Sequence, residues 1–112
     1  MYDVNYMTQT ESQYVAQMDT QRENGLLLVS NMFENNSQQT VYLTYKFRCI
    51  RVSATGKSAN SQSGSFVAAS GQTISLSKTA LSIRPTDSYD LLLEIYDGNQ
   101  LVAKQELKVP EL

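Results

Sequence analysis

From Thr40 to Cys49 apolar and polar residues alternate. Val41, Leu43, Tyr45, Phe47 and Cys49 fall on one side, and Tyr42, Thr44, Lys46 and Arg48 on the other. Successive side chains of an extended strand point to opposite faces, so a period of two predicts a strand with one face on a core and one in water. The wet face carries two cations and a tyrosine. Few stretches repeat apolar residues at the spacing of a helix, while Gly, Asn, Ser and Thr punctuate the chain at short intervals. Strands are expected at 14–20, 25–33, 40–53, 64–69, 73–77, 89–96 and 101–109.

Short strands at this spacing predict an all-β fold, an immunoglobulin-like antiparallel β-sandwich of about seven strands. It is expected to occupy 13–112 as one domain, with the polar residues 1–12 forming an N-terminal tail or a loosely attached strand. Asp97-Gly98-Asn99 joins two apolar runs, and Asp-Gly there predicts a hairpin because glycine takes positive φ without strain. Gln105 falls on the apolar face of the last strand, where burial would demand a hydrogen-bond partner and a bulge nearby. Tyr89 follows Pro85-Thr-Asp-Ser88 and reads either as a tyrosine corner or as the first core residue of its strand. The polar stretch 57–64 has no apolar anchor and is expected to be a mobile loop. Pro110 ends the last strand because it cannot donate to a ladder.

Composition narrows the chemistry. With 112 residues, 41% hydrophobic and 18% charged, the chain is long and apolar enough to fold without a metal or disulfide. A formal charge of -2 gives no bulk attraction to nucleic acid or to an anionic membrane, so any electrostatic role must come from local pattern. No apolar run is long enough to insert in a bilayer. There is no histidine, and one cysteine makes no internal disulfide, zinc knuckle or Cys/His pair. Cys49 is expected to be a buried thiol. Asp87, Asp90, Glu94, Asp97 and Glu106 form no calcium-loop pattern and read as a solvated face. Neither a phosphate loop nor a nucleophile elbow is present, so an enzyme, a cofactor or a metal is not expected. Asn35-Asn36-Ser37 matches a glycosylation acceptor but is common by chance.

The run Leu76-Ser-Lys-Thr-Ala-Leu81-Ser-Ile83-Arg-Pro85-Thr-Asp87, an apolar strand, and Tyr96-Asp97-Gly98-Asn-Gln-Leu101 resemble the curli-assembly chaperones of the CsgC and CsgH type. Gly56-Lys-Ser-Ala-Asn-Ser-Gln-Ser-Gly64-Ser-Phe66 is similar to the polar loop of that family. The resemblance covers roughly residues 47–109. Some members carry a C-x-C pair on the strand matching 40–53, whereas Phe47-Arg48-Cys49-Ile50 holds one thiol, so a dithiol reaction is excluded. The resemblance implies a periplasmic, monomeric chaperone that keeps an unfolded, acidic curli-type amyloid subunit from nucleating fibres through transient, electrostatically guided contacts.

Combined with the alternating strand, that points to Lys46 and Arg48 as attractors and Tyr42 and Thr44 as flat contacts for the client. A blander reading pairs Lys46 and Arg48 with Asp90 and Glu94 across neighbouring strands, for solubility alone. The alternative function is a structural or adhesive module of a surface fibre or receptor, which would polymerise through an open edge. A weaker third option is carbohydrate or small-ligand binding through Tyr42, Tyr89 or Tyr96.

Overall fold

The computed structural model describes residues 13–109, so the expectations for residues 1–12 and Pro110 lie outside the described part. Seven antiparallel strands run through it: β1 (Tyr14–Glu23), β2 (Leu26–Asn35), β3 (Val41–Ser53), β4 (Gly56–Ala68), β5 (Thr73–Ser82), β6 (Ser88–Asp97) and β7 (Gln100–Val109). They form two sheets, one of three strands in the order β1-β2-β5 and one of four in the order β4-β3-β6-β7. This is the expected immunoglobulin-like sandwich.

Alternation decides which side chains meet between the sheets. Leu43, Phe47 and Cys49 of β3 are buried with Tyr89, Leu91, Leu93 and Ile95 of β6, facing Leu27, Val29 and Phe33 of β2. At one end the rings of Tyr14, Phe33, Phe66 and Tyr45 meet in sequence at tilted angles, with Phe33 and Phe66 centroids 5.0 Å apart. Tyr89 serves both of its expected roles: it is buried, and its hydroxyl donates to the Ser82 carbonyl at 2.7 Å. Gln105 is half-buried and accepts from the backbone amide of Met18, tying β7 to β1. The register between β6 and β7 shifts at Ile95/Tyr96, leaving Val102 as a bulge three residues before Gln105.

Two hairpins use glycine where φ is positive. Gly98 (φ 61) holds the β6–β7 turn. Asn24 (φ 51) and Gly25 (φ 77) both take the left-handed region, the type I′ turn that matches strand twist. This Asn-Gly pair lengthens β1 to Glu23 and moves Gly25 out of the strand in which it was expected.

The largest departure is β4. The stretch 57–64, expected as a mobile loop, is strand, paired with β3 in an unbroken register from Ser53↔Gly56 to Val41↔Ala68. Backbone bonds to β3 need no apolar side chain, so a two-residue turn at Ala54 and Thr55 suffices to continue the sheet. Strand β5 likewise runs on to Ser82.

Asn35 is fully buried at the end of β2. Its Nδ2 donates to the carbonyls of Gln39, Ala68 and Ala69, and its Oδ1 accepts from the amide and hydroxyl of Ser37. The acceptor motif is thus a structural clamp between two loops, with no amide free for a glycan.

Candidate functional site

The outer face of the four-stranded sheet is where the alternating strand sends its polar residues. Tyr42, Thr44, Lys46 and Arg48 are all exposed there, in a row along β3, with Tyr42 73% accessible. On the β4 side their cross-strand partners are Val67, Ser65, Ser63 and Ser61. On the β6 side Thr44 faces Tyr96, Lys46 faces Glu94 and Arg48 faces Leu92. A shallow groove of about 330 Å³ lies among Lys46, Arg48, Ser61, Gln62, Ser63 and Glu94.

Opposition in register does not become an ion pair. Among the described residues, ion pairs join Arg51 to Asp87 and Lys108 to Asp90 and Glu106, and none includes Lys46 or Arg48. The Lys46 ammonium lies instead 5.3 Å from the centre of the Tyr96 ring, a cation–π contact that leaves the charge formally unneutralised. Desolvation, then the charge and hydrogen bond of Glu94, push the Tyr96 phenol above its usual range, while Arg48 pulls it down. Asp90 pairs with Lys108 at 3.3 Å, which turns that carboxylate toward β7 and away from Arg48. Blander pairing of the two cations is therefore absent in this geometry.

Asp87 departs from the solvated face assigned to it. It is 4% exposed, accepts from Thr86 Oγ1, and meets Arg51 Nε at 3.9 Å. Cys49 is free and buried, and desolvation pushes its thiol above the ordinary range, outweighing the nearby Arg51. The thiol is thus held protonated, away from the outer face. Among the described residues no three acidic, cysteine or histidine side chains gather as metal ligands.

A wider charge pattern escaped residue-by-residue reading. Residues 35–86 contain no Asp or Glu, yet hold Lys46, Arg48, Arg51, Lys57, Lys78 and Arg84. That span carries a formal +6 and the rest of the chain -8, which together make the net -2. Folding converts the linear segregation into a spatial one. The span contains β3, β4 and β5, and β4 and β5 are the sheet edges on the same side of the sandwich, bridged by Gln62 Nε2 to Thr79 Oγ1. One flank is cationic, and among the described residues the carboxylates lie on β1, β2, β6 and β7 and the loop before β6. The signal was available in the sequence as a gap in the acidic residues.

No family model matches the chain, and no curated protein matches it. Solved structures do. A structure titled as the E. coli curli protein CsgC matches with a TM-score of 0.68 at 21% identity, over 86% of this chain and 97% of that one. The solution structure of CsgH from R. palustris matches with a TM-score of 0.60 at 16% identity, over 86% and 90%. A family 2 glycoside hydrolase, a β-glucuronidase, matches with a TM-score of 0.54 at 13% identity, but over only 11% of its length. Two small proteins matched nearly end to end, against a fragment of a large enzyme, agree with the seven-strand topology: the chain has a fold of the CsgC and CsgH type.

Proposed function

We propose that this protein is a periplasmic chaperone that delays amyloid nucleation by acidic, curli-type fibre subunits, acting as a monomer without catalysis or cofactor. The observation that carries the reading is the placement of Lys46 and Arg48: exposed, in one row, unpaired with any carboxylate among the described residues, within a flank built from a carboxylate-free span. The fold likeness to a curli protein supports the choice of client.

The physics follows from the surface. Cross-β growth requires edge-to-edge strand pairing. A cationic flank raises the local concentration of an acidic, unfolded chain and shortens the time that chain spends free to pair with its own kind. Tyr42 and Thr44 extend the row as flat contacts for backbone and side chains. Such contacts are brief and screened by salt, so substoichiometric amounts delay nucleation without forming a stable complex.

The test is a fibrillation assay with an acidic curli-type subunit and trace amounts of this protein, at low and at raised salt. The expected result is a longer lag at low salt that shrinks as salt rises. No delay in either condition refutes the reading.

A further inference from the structure

The geometry points to β4 as an acceptor edge: an extended, acidic segment rich in Ser, Asn or Gln adds to it as a further strand of the four-stranded sheet. This rests on the proposed function and names the surface on which the client is held once attracted.

Strand β4 ends its sheet, so one side of its backbone bonds β3 and the other pairs with nothing among the described residues. Its register with β3 is free of bulges over the whole strand. From Gly56 to Ser63 every residue is exposed, and the side chains are Lys57, Ser58, Ala59, Asn60, Ser61, Gln62 and Ser63. No charge follows Lys57, and no proline interrupts the run.

Other edges carry the usual guards against pairing. Strand β7 has the Val102 bulge and exposed Lys104, Glu106 and Lys108. Strand β1 has exposed Asp19, Arg22 and Glu23, and its Met18 amide is taken by Gln105. Strand β5 has exposed Lys78 and a register shift at Asn31/Met32. On the β1 side Gln105 ties the two sheets together, and on the β4 side the Gln62–Thr79 hydrogen bond crosses between them beside a cleft of about 380 Å³ lined by Arg51, Ser58, Asn60, Leu81 and Tyr89. An added strand would have its inner side chains over that cleft and its outer ones next to Ser61 and Ser63, one strand removed from the Lys46–Arg48 row.

Charge selects the occupant. A second copy pairing edge to edge would bring two carboxylate-free strands together with Lys57, Lys46 and Arg48 of each, so like charges approach. An acidic strand meets the same cations with attraction. Large side chains gain nothing on a row of Ser, Ala, Asn and Gln, whereas Ser, Asn and Gln can hydrogen-bond across it. A client strand held here has one of its edges occupied, which blocks that edge for fibre growth.

The test separates strand capture from attraction. Asn60→Lys places a further cation on the cleft side of the edge, where an inward-pointing charge opposes strand addition. Attraction alone predicts an unchanged or longer fibrillation lag, whereas strand capture predicts that the delay is lost. Asn60→Pro and Ser61→Pro, made separately, remove adjacent amides, of which one faces β3 and the other solvent, so one variant should keep the native melting temperature and lose the delay. Should both prolines unfold the protein, the lysine variant decides alone. Folded variants that delay fibrillation as well as the native chain overturn the edge inference and leave the proposed function standing. A native protein without any delay removes both.

Discussion

Replacing Lys46 and Arg48 together by glutamate reverses the surface on which the proposed function depends. Coulomb's law in water gives about 0.4 kcal/mol for unit charges about 10 Å apart, so the two cations attract one client carboxylate at that range by about 0.8 kcal/mol. Reversal turns attraction into equal repulsion, a swing of about 1.6 kcal/mol, or somewhat more than tenfold in encounter equilibrium near zero salt. At physiological ionic strength the Debye length of about 8 Å reduces that swing to under a third, roughly twofold per carboxylate. The fold should survive, because both side chains are exposed and make no ion pair among the described residues; the main loss is the Lys46–Tyr96 contact, about 0.5–1 kcal/mol. The assay is fibrillation lag of an acidic subunit with trace amounts of this protein at low salt, alongside a melting curve and a Lys104→Glu control on β7. Native-like lag extension by a folded double variant would refute the assignment of the row, whatever the control does.

The remaining predictions concern what holds the scaffold and what it conceals. Asn35→Ala removes a side chain that makes five hydrogen bonds to Ser37, Gln39, Ala68 and Ala69, several of them buried, and should lower unfolding free energy by about 3–5 kcal/mol in denaturant titration; a loss near zero would show that the two loops do not depend on it. Tyr89→Phe leaves the Ser82 carbonyl without its donor and should cost about 1 kcal/mol in the same titration, with β6 packing retained. Because burial raises the Cys49 thiol, the protonated form is favoured in the folded state: that contribution is complete below the ordinary thiol range and is lost as pH climbs through the raised value. Thiol-reagent labelling at neutral pH should therefore track unfolding, and rapid labelling of the native protein would contradict the burial.

Sequence periodicity alone determined the two central strands. From Val41 to Cys49, and from Tyr89 to Ile95 apart from Leu92, apolar and polar positions alternate as a half-buried sheet requires, and the need of Gln105 for a partner and the outward row of Tyr42, Thr44, Lys46 and Arg48 follow from that pleat, while the Asp97-Gly98 turn follows from glycine's freedom at positive φ. Periodicity could not find β4, because both faces of its first half meet water and hydrogen bonds to β3, not buried side chains, hold it in place. Nor could local reading tell that Lys46 would rest on Tyr96 rather than bond Glu94, since register sets which residues are opposite but rotamers and competing partners set which atoms touch. The carboxylate-free span was written in the chain all along. Only the tertiary structure made it a surface, by setting β4 and β5 as edges on the same side of the sandwich and turning a stretch of sequence into one cationic flank.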